Sequence, residues 1–184
     1  FQGLRVFIRN CSLVSQRFMA QCLCKIYEKN NPSELFGRIE KWMKSGKVIS
    51  ERTKANRARG IVIILREFGI IHLNKVIELL HEWLKTDNSY ILNISISTLV
   101  EIAQFEPNKA TSVFRKLLDQ RNEIIRKMIF YVFSRIGQKE PEKVLLILKY
   151  LASHNMLIVR ENISTVLGEI GKYHPQKVLK SLRE

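Results

Sequence analysis

Six basic residues fall within sixteen consecutive positions, Lys44, Lys47, Arg52, Lys54, Arg57 and Arg59, and only Glu51 opposes them. Arg126, Lys127 and Arg160 add basic groups further along. Ammonium and guanidinium groups gathered in this way attract polyanions, and phosphate contacts would make such binding depend on salt. The whole chain shares the bias, with 31 Lys and Arg against 17 Asp and Glu and a formal net charge of +14. Bond-breaking chemistry has fewer candidates. Glu67, Glu101 and Glu169 recur at one sequence phase, with Arg135 at the remaining position. Such a ladder could place a carboxylate for proton transfer, but exposed ion pairing is its commoner use. His72, His81, His154 and His174 show no His-x-x-x-His spacing, and Cys11, Cys22 and Cys24 contain no Cys-x-x-Cys pair. With no metal-ligand spacing, glycine-rich phosphate loop or Gly-x-Ser-x-Gly turn, neither metal nor cofactor is expected.

The elements that must position these groups repeat along the chain with a fixed period. Leu65-Arg66-Glu67-Phe68-Gly69, Leu99-Val100-Glu101-Ile102-Ala103, Phe133-Ser134-Arg135-Ile136-Gly137 and Leu167-Gly168-Glu169-Ile170-Gly171 are four versions of one phrase in steps of 34. Leu73-Asn74-Lys75-Val76, Pro107-Asn108-Lys109-Ala110, Pro141-Glu142-Lys143-Val144 and Pro175-Gln176-Lys177-Val178 follow in the same step. Periodicity of this length marks a stack of like units. In the last complete unit, Ile158, Val159, Ile163, Val166, Leu167 and Ile170 make one apolar stripe at helical spacing, and Val144, Leu145, Leu148 and Leu151 make another. Proline opens a helix without losing a hydrogen bond, and Asn88 and Asn122 stand where an N-cap is needed. Gly137 and Gly171 can end the preceding helix in the left-handed conformation. The chain therefore reads as all-α, with helical hairpins at 32–69, 72–105, 106–139 and 140–173, helical material over 4–30 and a partial unit at 174–184. The step from Pro32 to Leu73 exceeds the period by seven, and the surplus falls at 44–50, a longer loop inside the first hairpin. The recurrent lysines 75, 109, 143 and 177 sit at helix starts, where a cation gains nothing from the helix dipole; common descent of the units explains them better than four phosphate sites.

With 184 residues, 8 Gly, 4 Pro and no low-complexity stretch, residues 4–184 are expected to form one solenoid domain. Phe1-Gln2-Gly3 resembles the remnant of a protease-cleavable purification tag and is left out of the reading. Apolar runs such as 61–65 fall far short of the roughly 20 residues that cross a bilayer, and no secretion signal is recognisable, so no membrane insertion is expected. Unpaired cysteine spacing points to an intracellular, cytoplasmic setting.

Ile124-Ile125-Arg126 and Ile158-Val159-Arg160 match the hydrophobic-Val-Arg opening of the second helix of a HEAT repeat, and Leu167-Gly168-Glu169-Ile170-Gly171 matches its close. The chain thus resembles HEAT-repeat proteins over roughly 32–184, most closely over 106–184, with Ala58 and Leu92 in place of the arginine earlier. Tetratricopeptide repeats share the period, but Ile129, Ile136 and Leu151 stand where they need small residues. The resemblance implies an armadillo-like, right-handed α-α superhelix, a HEAT-type solenoid of about five helical hairpins, whose second helices line a concave surface. Arg52, Lys54, Arg57, Arg59, Arg126, Lys127 and Arg160 would then supply a basic trough for nucleic acid.

Some DNA glycosylases that excise alkylated purines are built of HEAT-like repeats, and the chain is similar to them in helix size and basic charge. They use a Trp-x-x-x-Asp arrangement, and Trp83-Leu84-Lys85-Thr86-Asp87 has that spacing, which would make Asp87 the catalytic carboxylate. Register opposes this assignment. Asp87 falls at the turn before Asn88, and Trp42 and Trp83 each lie ten residues after a repeat start, in the slot that Leu117 and Leu151 fill later. That slot marks core rather than a stacking platform, and helix packing likewise explains Tyr90, Phe130 and Tyr131. Asp119 also lies at a turn, where it reads as a cap or loop residue. The expectation is a non-catalytic scaffold that binds nucleic acid; the alternatives are an adaptor for an acidic protein partner and an alkylation-repair glycosylase.

Overall fold

The computed structural model describes residues 18, 20–23, 25, 27, 32–44, 50–120 and 122–183 of the chain. Residues 1–3, Cys11, Cys24, Lys47 and the side chains of Trp42 and Lys44 lie outside the described residues. Every regular element among those described is α-helical: α1 (Pro32–Lys44), α2 (Glu51–Trp83), α3 (Ser89–Ile102), α4 (Pro107–Asp119), α5 (Glu123–Gly137), α6 (Pro141–Leu151), α7 (Leu157–Gly171) and α8 (Pro175–Arg183). Among the described residues no helix is long and apolar enough to cross a membrane.

Helix starts follow the local chemistry. Pro107 and Pro141 open α4 and α6, where their missing N–H is no loss. The residue before each proline is held out of the α region by the ring, and Glu106 (φ −136°, ψ 64°) and Glu140 (φ −132°, ψ 67°) share one extended bend. His72, one period before Glu106, has nearly the same angles (φ −126°, ψ 50°) although Leu73 follows it. Leu73 keeps its N–H, so α2 continues as a kinked helix of two segments, 51–71 and 73–83. With no proline to impose it, the bend at His72 comes from packing, and the His72 ring lies 4.8 Å from that of Phe68 on the preceding turn.

The chain divides into two compact units, 1–98 and 99–184, with the division inside α3. In the first unit, Phe36 of α1 meets Phe68 of α2 edge to face at 5.4 Å. Leu35, Ile39, Leu65, Val76 and Leu80 are buried with them. In the second unit each helix from α4 to α7 packs on its successor, α4 packs on α6 and α6 on α8, and α5 packs on α7. First helices therefore stack on first helices and second on second, in two layers. Phe114 and Phe133 join α4 to α5 edge to face at 5.1 Å.

Two sequence expectations change. In the α7 stripe, Val159, Ile163, Val166 and Ile170 are buried, whereas Leu167 is half-buried and Ile158 is 43% exposed. A stripe wide enough for two neighbours is filled only where a neighbour arrives. Gly137 and Gly171 are not left-handed; the residues after them, Gln138 (φ −64°) and Lys172 (φ −59°), also stay right-handed. Gly137 serves closeness instead, because a Cβ there would stand 2.4 Å from Cδ1 and 2.6 Å from Cγ1 of Ile170, which is fully buried. Nothing in the structure explains Gly171.

Gly137→Ala should therefore destabilise the protein by about 1–2 kcal/mol in urea unfolding, overpacking outweighing the better helix propensity of alanine. Ile170→Val in the same chain should recover part of that loss, as a double-mutant cycle would show; independent, additive effects would disprove the contact.

Candidate nucleic-acid interface

In the first unit, the Ser50 side chain caps α2 by accepting from the Thr53 N–H at 3.3 Å, and the basic cluster follows it. Helical geometry splits that cluster. Arg52 and Arg59, two turns apart, share one face and are both exposed. Lys54 and Arg57 turn elsewhere. Lys54 Nζ bonds Glu51 at 2.7 Å, and the Lys54 carbonyl accepts from the Tyr90 hydroxyl of α3 at 3.2 Å. Burial pushes the Tyr90 hydroxyl above its usual pKa, against the opposing pull of the nearby Arg57 charge. Tyr90 is thus a helix tie.

In the second unit, Arg126 and Lys127 lie in the first turns of α5. Lys127 Nζ meets Glu123 at 2.6 Å and holds that carboxyl below its usual range by its hydrogen bond and charge. Arg126 is half-exposed, and the side chains of Arg126, Arg52 and Arg59 make no hydrogen bond or close ion pair among the described residues. Arg160, one period beyond Arg126, has an internal task. Its Nη1 donates to the carbonyl oxygens of His154 at 2.7 Å and Asn155 at 3.1 Å, clamping the turn before α7.

That clamp stands at a helix start without a side-chain cap. Asn88 accepts from the N–H groups of Tyr90 and Ile91 at 3.0 and 3.3 Å, and Asn122 from those of Ile124 and Ile125 at 3.0 and 3.2 Å. The corresponding residue of the next unit is Met156, which cannot accept in this way. Here His154 Nδ1 accepts from the Met156 N–H at 3.2 Å, so its other nitrogen must carry the proton of the neutral ring. That Nε2–H points to Asp119 Oδ1 at 3.3 Å. Both nitrogens of this buried ring are occupied in holding a turn, and Asp119 is the loop partner of His154. Arg115 assists by donating to the Tyr150 carbonyl at 2.6 Å and Ser153 Oγ at 3.0 Å, at the C-terminus of α6.

Two members of the carboxylate ladder, Glu67 and Glu101, are committed to ion pairs, whereas Glu169 has none among the described residues. Glu67 is buried and accepts from Arg66 and from Gln21 Nε2 at 3.1 Å. Glu101 bonds Lys143 Nζ at 2.6 Å, and Lys143 reaches Glu140 at 2.7 Å. Burial pulls the Lys143 pKa down, but the hydrogen bonds to Glu101 and Glu140 outweigh it and leave the ammonium above its ordinary value. Lys177 pairs with Glu142, whose carboxyl it holds below the usual range. Two of the four recurrent lysines thus join neighbouring helices.

Trp83 is 5% exposed, and its indole N–H donates to Glu40 at 2.9 Å, as the core slot requires. Asp87 lies exposed in the loop between α2 and α3. The tryptophan and aspartate of the Trp-x-x-x-Asp spacing therefore do not line one site. Among the described residues no cluster of His, Cys, Asp or Glu could hold a metal ion, and Cys22 is a free thiol.

Tyr131 departs from its reading as a packing residue. It is 53% exposed on α5, with the Arg135 guanidinium 5.7 Å from its ring centre. Lys127, Tyr131 and Arg135 succeed one another at every fourth position, and this spacing was the available signal for one outward face. Exposed Ile124 lies one turn before Lys127.

No protein-family model, curated protein or solved structure matches this chain.

Arg160→Ala should lower stability in urea unfolding by about 1–2 kcal/mol, since two loop carbonyls lose a charged donor, whereas Arg52→Ala should stay within about 0.5 kcal/mol. Equal effects would refute the division into clamping and spare arginines. A raised lysine pKa gives stability that is complete below the ordinary value of 10.5 and lost as pH rises through the folded value. Thermal melts through the alkaline range should therefore decline less steeply in Lys143→Met than in the parent chain.

Proposed function

We propose that this chain is a HEAT-type right-handed solenoid that binds nucleic acid without catalysis, through basic faces of its second helices. The observation that carries the reading is the spare positive charge. Local pairing accounts for Lys54, Lys127 and Arg160, yet among the described residues Arg52, Arg59 and Arg126 make no side-chain hydrogen bond or close ion pair, Arg126 only adding its charge to the pull of Lys127 on Glu123, in a chain of net charge +14. Such groups gain most from phosphate oxygens, because they lose no internal partner on binding and release counterions from the nucleic acid. The outward face of α5 adds an exposed aromatic ring beside Arg135, a combination suited to stacking with an unpaired base. The repeated bend and two-layer packing support the solenoid reading. The buried Trp83 and its bond to Glu40 weigh against the glycosylase alternative.

The test is binding of labelled single- and double-stranded DNA and RNA across a salt series, with an alkylated duplex scanned for base loss. The triple variant Arg52→Glu, Arg59→Glu, Arg126→Glu should bind duplex DNA more weakly, with a log–log salt slope shallower by roughly 2–3. It should melt like the parent. Unchanged affinity would overturn the reading, tight binding to an acidic protein but not to nucleic acid would favour the adaptor, and base release lost in Asp87→Asn would restore the glycosylase.

A further inference from the structure

The two helical layers of the second unit differ in charge. Its first helices, α4, α6 and α8, carry eight basic residues against two acidic ones, whereas its second helices, α5 and α7, carry four against three. Pairing widens the contrast. Both acidic side chains of the first helices are engaged, Asp119 with His154 and Glu142 with Lys177. On α7, by contrast, Glu161 and Glu169 have no ion pair among the described residues. A polyanion therefore meets free carboxylates on the second helices of this unit and none on the first.

Some cations of the first helices have internal tasks, since Lys143 and Lys177 pair with carboxylates and Arg115 holds the Tyr150 carbonyl. Lys109, Lys116 and Lys149 are exposed, and their side chains make no hydrogen bond or close ion pair among the described residues. Lys109 and Lys116, two turns apart, share one face of α4 at about 10 Å. Lys149 comes from the next first helix, at the same end as Lys116, because the Arg115 guanidinium reaches the Tyr150 carbonyl at 2.6 Å. Lys149 stays exposed although α4, α5, α7 and α8 enclose α6, so its exposure owes nothing to an open end of the stack. Packed helices lie about 8–10 Å apart. One strand of a duplex advances about 3.4 Å per phosphate, so cations spaced by about 10 Å match phosphates about three nucleotides apart. Lysine, a point charge on a flexible stem, suits contacts of this kind.

We propose that the first-helix layer of the second unit is a further nucleic-acid surface, on which Lys109, Lys116 and Lys149 meet the phosphate backbone of a duplex without reading its sequence. It rests on the reading that the chain binds nucleic acid, but not on the placement of that binding along the second helices.

The test combines lysine acetylation, read by mass spectrometry with and without duplex DNA, with the variant Lys109→Glu, Lys116→Glu, Lys149→Glu. In the parent chain the duplex should slow acetylation of the three lysines by at least about threefold. The variant should bind the duplex at least about tenfold more weakly, with a log–log salt slope shallower by roughly 2–3. Its melting transition should match the parent's, since all three side chains are exposed. The loss should be equal on two duplexes of unrelated sequence. Failure of the parent to bind duplex DNA at any salt would overturn nucleic-acid binding and this surface with it. Binding that Arg52→Glu, Arg59→Glu, Arg126→Glu weakens, with the three lysines acetylated equally in both states, would overturn this surface alone. Protection by vesicles containing phosphatidylserine but not by DNA would overturn it in favour of a lipid headgroup.

Discussion

A pair of helices this small cannot cover its own apolar surface. The stripe on α7 holds Val159, Ile163, Val166 and Ile170, and α6 brings Val144, Leu145, Leu148 and Leu151, all buried. Burial on that scale needs helices on several sides, and in the second unit α6 has four. Much of the remaining structure follows from this demand. Close approach of second helices leaves no room for a Cβ at Gly137. Successive hairpins are joined at one sequence phase, where His72, Glu106 and Glu140 have nearly the same backbone angles. His72 shows that the bend is needed independently of proline, because packing enforces it where the covalent constraint is absent.

Turns inside the hairpins are held by different atoms. The first N–H groups of each second helix need acceptors, and an asparagine supplies them in two units. With methionine at the third, no side chain accepts from them; His154 instead accepts from the N–H of Met156 itself, and Arg160 fixes the loop carbonyls. This exchange bears on function, because it removes one basic residue from the set free to meet a partner. Ion pairs with Glu51 and Glu123 engage Lys54 and Lys127 in the same sense. The basic side chains left without a close ion pair or a backbone acceptor are fewer than the net charge suggests: among those on the second helices, Arg52 and Arg59 on one helical face, Arg126 on α5, and Arg135 beside the Tyr131 ring. Exposed ion pairs contribute little stability and open readily, so Lys54 and Lys127 can still add to the field around these groups.

Most of the helical layout was legible beforehand because it depends on local chemistry. Proline at a first turn, asparagine at an N-cap and a stripe at helical spacing act over a few residues, and the repeating step multiplied each signal. The core position of Trp83 was legible for the same reason, since its slot holds leucines in later units. The site was less so. Six cations in sixteen positions look like one patch in the sequence, but the helix, turning by about 100° per residue, sends Lys54 and Arg57 away from Arg52 and Arg59. Nor does the shared register of Arg126 and Arg160 reveal that one is spare and the other a clamp, because the difference lies in a cap residue four positions earlier.

By itself, then, the amino-acid sequence determined the all-helical class, the period, the helix starts and the excess positive charge, all properties of composition and near-neighbour geometry. Tertiary structure alone decided the kink at His72, the reason for glycine at 137, the exposure of Ile158 against the burial of Val159, and which basic side chains find partners. Each of those depends on what a distant segment brings within a few ångströms. A repeating sequence cannot express that, since equivalent positions carry the same residue types whether or not a neighbour covers them.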